Sequence, residues 1–129
     1  MTLRYSITID VPDLDRGLAF YGAVLGLRET ARPIPSYAIL GDGPSIGIME
    51  KAAGTAATLA PGTERRYDRH WTPVHADFHV DDLEAALTAV EREGGAVEQR
   101  HSPPGRPGIA FCADPFGHGF CLLGPRQEA

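Results

Sequence analysis

The chain has 129 residues, 43% of them hydrophobic and 22% charged, with 17 Asp and Glu against 12 Lys and Arg and a net charge of −5. No run of Lys or Arg breaks that acidic balance, which excludes the electrostatic footprint of a nucleic-acid binder or of attachment to an anionic membrane. No apolar stretch approaches the ~20 residues that span a bilayer, and the strand-like start MTLRYSITIDV lacks the charged-then-apolar layout of an export signal, so a cytoplasmic location is expected.

In chain order, Ile7, Ile9 and Val11 alternate with Ser6, Thr8 and Asp10. Alternation at period two predicts a strand with one apolar and one polar face. Asp13 stands where a helix N-cap or first-turn acid is wanted, and Leu14, Leu18, Tyr21, Val24 and Leu25 recur at helical spacing up to Gly26. A short strand near Arg28–Ala31 follows, then SYAIL (Ser36–Leu40) and SIGIM (Ser45–Met49), joined by the turn GDGP. Residues 51–73 have linker composition and carry Arg65, Arg66, Arg69, His70 and the single Trp71. That segment is read as an exposed crossover, a loop folding over a cavity, or an arm holding a second subunit.

The pattern then starts again. YSITIDVPDLDRGLAFYGAVLGLRE lies over VHADFHVDDLEAALTAVEREGGAVE without a gap, Tyr5 against Val74, so that Val11 meets Val80, Asp13 meets Asp82 and Gly26 meets Gly95. In the second copy Ala76, Phe78 and Val80 alternate with His75, Asp77 and His79. A short strand near Ala96–Gln99 precedes GIAFCA (Gly108–Ala113) and GFCLL (Gly119–Leu123), joined by DPFGH. Each half therefore predicts β-α-β-β-β. The chain reads as one α+β domain, residues 1–129, with module one at about 1–50, a linker at about 51–73 and module two at about 74–125. The two modules form a curved, antiparallel-rich mixed sheet around a concave cavity, with the helices on its outer face. Cys112 and Cys121 lie in apolar surroundings and read as buried thiols rather than a disulfide framework.

The polar strand rows are the candidate chemistry. His75, Asp77 and His79 share a face, as do Ser6, Thr8 and Asp10. Residues four apart on a strand lie roughly 13 Å apart, too far to share an ion, and neighbours about 6.6 Å apart share one only if their side chains converge. A metal held by this row is therefore disfavoured. His118, in the DPFGH turn, is expected to be exposed, and His79 to sit at a rim near Asp10.

The stretches VPDLDRGLAFYGAVLGL, HADFHVDDLEAAL and DPFGHGFCLL resemble the vicinal oxygen chelate superfamily, the fold of glyoxalase I, bleomycin-resistance proteins and extradiol dioxygenases. In metal-dependent members of that superfamily, ligands come from the first and last strands of each module. Carried over, the resemblance places Ser6, Gly47, His75 and Cys121 at those positions. Only His75 matches the family's ligand types, so the resemblance implies no metal and no cofactor. It further implies a homodimer and a cavity that takes a small molecule. Ser6, Thr8, His75, Asp77, His79 and Cys121 are then its polar ligand-binding residues, and Tyr37, Met49, Trp71 and Phe111 its apolar walls. The first functional expectation is a metal-independent protein that binds or sequesters a polar or aromatic natural product. The alternative is an enzyme: a metal-free isomerase, lyase or cyclase using His75 and Asp77 as acid and base, or a metal-dependent lyase or dioxygenase. A structural or regulatory domain is the third.

Overall fold

The computed structural model describes residues 2–126. In chain order these form β1 (Thr8–Val11), α1 (Leu14–Leu25), β2 (Glu29–Ile34), β3 (Tyr37–Leu40), β4 (Ile46–Glu50), β5 (Asp77–His79), α2 (Leu83–Arg92), β6 (Ala96–His101), β7 (Pro107–Ala113) and β8 (Gly119–Arg126). Each half is β-α-β-β-β. Within the first, β1 runs parallel to β4, and β4, β3 and β2 follow antiparallel, giving the order β1-β4-β3-β2. The second half repeats it as β5-β8-β7-β6. The result is two four-stranded mixed sheets and two helices, the α+β architecture that the repeat implies.

Local chemistry sets the helix boundaries. The side chain of Asp13 accepts from the Arg16 amide at 3.1 Å, and that of Asp82 accepts from the Ala85 amide at 3.0 Å. Each N-cap satisfies an amide that has no partner within its helix. At the first amide of α1 a further acceptor arrives from β4, where Glu50 Oε1 takes the Leu14 N–H at 2.9 Å. Gly26 closes α1 in the left-handed region at φ 68°. The second helix differs from the repeat: it ends at Arg92, and Gly94, at φ 92°, makes the left-handed turn instead of Gly95.

One apolar cluster joins the two halves. Val11, Phe20, Tyr21, Leu40 and Ile48 of the first pack with Leu87, Val90, Phe120 and Leu122 of the second. α1 packs on α2 as well as on β3 and β4. The Phe20, Tyr21 and Phe120 rings meet at centroid distances of 4.9 to 6.0 Å.

Beside them lies a buried polar lock. The Tyr21 hydroxyl donates to Asp114 Oδ2 at 2.5 Å, and Asp114 Oδ1 accepts from the amides of Phe116 (2.8 Å) and His118 (3.0 Å). Burial first, and the Asp114 charge second, push the Tyr21 hydroxyl well above its ordinary pKa. His118 is not free in solvent, as its place in a turn suggests. Its Nε2 lies 2.7 Å from the Asp10 carbonyl, which can only accept, so Nε2 donates and ties the turn of module two to β1.

The 51–73 segment is likewise held down. Arg65 Nε pairs with Asp10 Oδ2 at 2.7 Å, and the Tyr67 hydroxyl donates to the Lys51 carbonyl at 2.6 Å. Asp10 therefore meets Arg65 and not His79, the partner its repeat position suggests.

The lock yields a stability prediction. Tyr21→Phe leaves Asp114 Oδ2 buried without its donor and is expected to cost about 1–3 kcal/mol. Asp114→Ala, which strands three donors, is expected to cost more. Both are read as a lowered midpoint of urea unfolding at unchanged slope.

Candidate functional site

The parallel ladder between β5 and β8 sets Asp77 opposite Cys121. His75 lies two residues before Asp77, outside the three-residue strand, and the ladder reaches back beside it through the Cys121 amide, which donates to the Ala76 carbonyl at 2.9 Å. Spacing of two sends His75 and Asp77 to one side of the sheet, and pairing sends Cys121 to the same side. His75 Nε2 comes to 3.2 Å from Asp77 Oδ1. An imidazole nitrogen, a carboxylate oxygen and the Cys121 sulfur all lie within 4.8 Å of one another. His75 and Asp77 are open to solvent, whereas Cys121 is 3% exposed. Burial, then the Asp77 carboxylate beside it, push the Cys121 thiol up to about 11.

Aromatic groups stand next to these donors. The Trp71 ring meets His75 edge-to-face at 5.5 Å and Phe111 at 5.9 Å, and Phe111 meets His101 at 5.9 Å. Room for the indole comes from Gly119, where a Cβ would stand 2.7 Å from the Trp71 ring. Trp71, Phe111, His75, Asp77 and Cys121 thus form one group on module two.

Ser6, Thr8, His79, Tyr37 and Met49 fall outside this group. Ser6, Asp77 and His79 line a cavity of about 560 Å³, with Tyr5, Leu25, Leu27 and Pro44 among its walls. Thr8 and His75 line a neighbouring one of about 420 Å³ with Asp10, Tyr21, His118 and Phe120. Ile7 and Phe78 are common to both, so the two cavities adjoin. Tyr37 and Met49 pair across β3 and β4 and line neither cavity. The Tyr37 ring lies where a side chain on Gly47 would be, at 2.6 Å from its Cβ position. Module one therefore offers a tyrosine where module two offers a thiol. The Glu50 carboxylate, at the end of the same strand, is committed to the start of α1. His118, Glu98 and Gly119 are missed as contributors by sequence reasoning. Only the glycine leaves a trace there, as a strand position without a side chain.

The donor set suits a metal ion. One imidazole, one carboxylate and one thiolate are the N, O and S ligands zinc accepts, and three protein ligands leave a fourth position for water or substrate. Cys121 must lose its proton to bind, which a divalent ion beside it brings about.

A family model described as a glyoxalase-like domain matches residues 6–123. The lactoylglutathione lyase of Haemophilus influenzae is 35% identical over 113 residues, which cover 84% of this chain and 82% of that protein. Among solved structures, a glyoxalase/bleomycin resistance protein from Albidiferax ferrireducens has a TM-score of 0.64 at 23% identity, covering 94% of this chain and 98% of that one. A mutant of the fosfomycin resistance protein FosX from Listeria monocytogenes, complexed with Mn(II) and 1S,2S-dihydroxypropylphosphonic acid, has a TM-score of 0.69 at 17% identity, covering 95% of this chain and 90% of that one.

These findings correct the expectation of a protein with no metal and no cofactor. The strand-spacing argument requires side chains to converge before neighbours can share an ion, and here they do, with Cys121 arriving from the adjacent strand to complete the set. The same fold holds Mn(II) in the fosfomycin resistance relative.

The thiol supplies a test of the geometry. In metal-free protein, Cys121 should react slowly with iodoacetamide at neutral pH, and its rate should climb with pH until about 11. Since its unfolded pKa is near 9, the raised folded value contributes stability that is complete below pH 9 and lost as pH rises toward 11. Mass spectrometry of the Cys121 peptide reads the first effect, and pH-dependent denaturation the second.

Proposed function

The chain belongs to the glyoxalase-like domain family, and from that premise we propose that it is a small-molecule enzyme of the lyase type whose chemistry is centred on His75, Asp77 and Cys121, with a divalent cation of the zinc class held between them. The observation that carries this reading is the convergence of three unlike donor atoms within 4.8 Å on the open face of module two. When bound, such a cation supplies Lewis acidity toward a carbonyl or similar oxygen of the substrate.

The chain's own residues do the rest. Asp77 Oδ1 stands 3.2 Å from His75 Nε2, and the exposed carboxylate keeps an oxygen available to accept a proton from substrate. Trp71 and Phe111 exclude water from one flank and offer apolar surface to the unreactive part of a ligand. The relative's name makes lactoylglutathione the first compound to assay.

Binding without turnover is the second reading. It is favoured by module one, which sets a serine, a glycine and a tyrosine ring where donors would otherwise stand. Turnover and simple sequestration separate by whether a bound compound is recovered changed.

We also propose that two copies pair. β1 and β5 each end their sheet with one unpaired edge, and Leu3, Tyr5 and Val74 near those edges are more than 80% exposed. Apolar side chains beside open strand edges are relieved by a second chain.

Protein purified without chelator is expected to carry a single zinc-class ion per chain. His75→Ala and Cys121→Ser should each abolish stoichiometric loading. Removing the ion should lower stability by about 2.7 kcal/mol relative to free metal at a hundred times its Kd. Elemental analysis and thermal melts check this, and an unloaded wild-type chain whose melting is indifferent to zinc and cobalt would overturn it. Light scattering after gel filtration should give twice the chain mass of 13.8 kDa. A monomer at micromolar concentration would remove the pairing.

A further inference from the structure

We propose that Glu98 is a positioning residue for the donor group, acting on His75 through Trp71 without touching ion or substrate itself. This rests on reading His75, Asp77 and Cys121 as metal ligands.

A metal-binding imidazole is ordinarily oriented by a hydrogen bond from its second ring nitrogen. Among the described residues His75 has none. Its Nε2 faces Asp77, and the rest of its ring is met by the edge of Trp71 at 5.5 Å and 85°. Aromatic packing takes the place of a hydrogen bond from the second nitrogen, so what fixes Trp71 helps to fix His75.

Trp71 stands on the 51–73 segment and belongs to no strand. Its Nε1 donates to Glu98 Oε1 at 2.9 Å. The same carboxylate takes both prongs of Arg69: Nε on Oε2 and Nη2 on Oε1, each at 2.5 Å. The Arg69 guanidinium lies 5.0 Å from the centre of the Trp71 ring, and its Nη1 reaches the Gly117 carbonyl at 3.3 Å. One carboxylate therefore holds an arginine and an indole that also hold each other. Arg69, and after it the Trp71 N–H, keep the Glu98 carboxyl below the usual range.

Glu98 is aimed by the backbone. The ladder between β6 and β7 pairs Val97 with Cys112 and Gln99 with Phe111, leaving Glu98 as the extra residue of a bulge. A bulge redirects a side chain from its ordinary alternation. From the far edge strand of the sheet, Glu98 draws Trp71 across Gly119 of β8 and past Phe111 of β7 to the side where His75 precedes β5.

The test titrates cobalt(II) into metal-free wild type, Glu98→Ala, Glu98→Gln and Trp71→Ala, following the thiolate-to-cobalt absorption contributed by Cys121. Emission of the single tryptophan is recorded in the Glu98 variants, and circular dichroism confirms folding. Glu98→Ala is expected to weaken cobalt binding about tenfold, the lower end for residues behind a metal ligand, and to shift Trp71 emission to the red. Glu98→Gln keeps an acceptor for the indole and should restore most of the affinity. Trp71→Ala should reproduce the loss, and adding Glu98→Ala to it should cost nothing further. If Glu98→Ala fails to fold, the Trp71→Ala and Glu98→Gln titrations decide the question. Wild-type affinity in Trp71→Ala, additive losses in the double variant, or unchanged emission in folded Glu98→Ala would each overturn the positioning role while leaving the metal reading intact. A wild-type chain that takes up no cobalt would overturn the metal reading, and this inference with it.

Discussion

The buried contact between the Tyr21 hydroxyl and the Asp114 carboxylate is the constraint from which the arrangement of both halves follows. A carboxylate this deep is tolerated only if its oxygens are fully used. One oxygen is satisfied from α1 of module one, the other by two amides of its own turn. The turn is thereby fixed in shape, and it is fixed relative to the other module. Everything that follows it in sequence inherits that placement: His118 against β1, Gly119 beneath Trp71, and Cys121 opposite Asp77. The donor group on one sheet is thus indexed to the other half by the Tyr21 hydroxyl of α1 and by the His118 ring on β1.

The repeat made much of this legible beforehand. Two aligned copies of strand, acidic cap and amphipathic helix predict the module order, both N-caps and the apolar faces, because period-two and period-3.6 patterns respond directly to burial. The DPFGH turn was visible as a turn. Its role as a clamp between modules was not, because nothing in the spacing of Asp114 links it to a tyrosine 93 residues earlier. The same limit applies to His118, whose position in a turn argues for solvent while its ring finds a carbonyl of β1.

The site shows where pattern reading meets tertiary geometry. Alternation puts His75, Asp77 and His79 on one face but measures their distances along a single strand. The relevant neighbour comes from another strand: Cys121 enters from β8 and His79 is left out, so the set that forms crosses the ladder instead of following it. Trp71 was recognisable as an aromatic near the second-module strand. Its anchor on Glu98 depends on a bulge in β6, and bulges leave no period to read.

The hairpin of β7 and β8 also settles the relation between the two cysteines. Cys112 pairs with Phe120, and Cys121 with Phe111. Since successive pairs alternate faces, one sulfur points into the packed core and the other toward the open side, with the sheet itself between them. Their Cβ vectors diverge, and a disulfide demands that they converge. Oxidation therefore cannot staple this chain to itself without first dismantling the hairpin. The two thiols, nine positions apart in sequence, thus stand on opposite faces of one hairpin, Cys112 in the packed core and Cys121 beside Asp77.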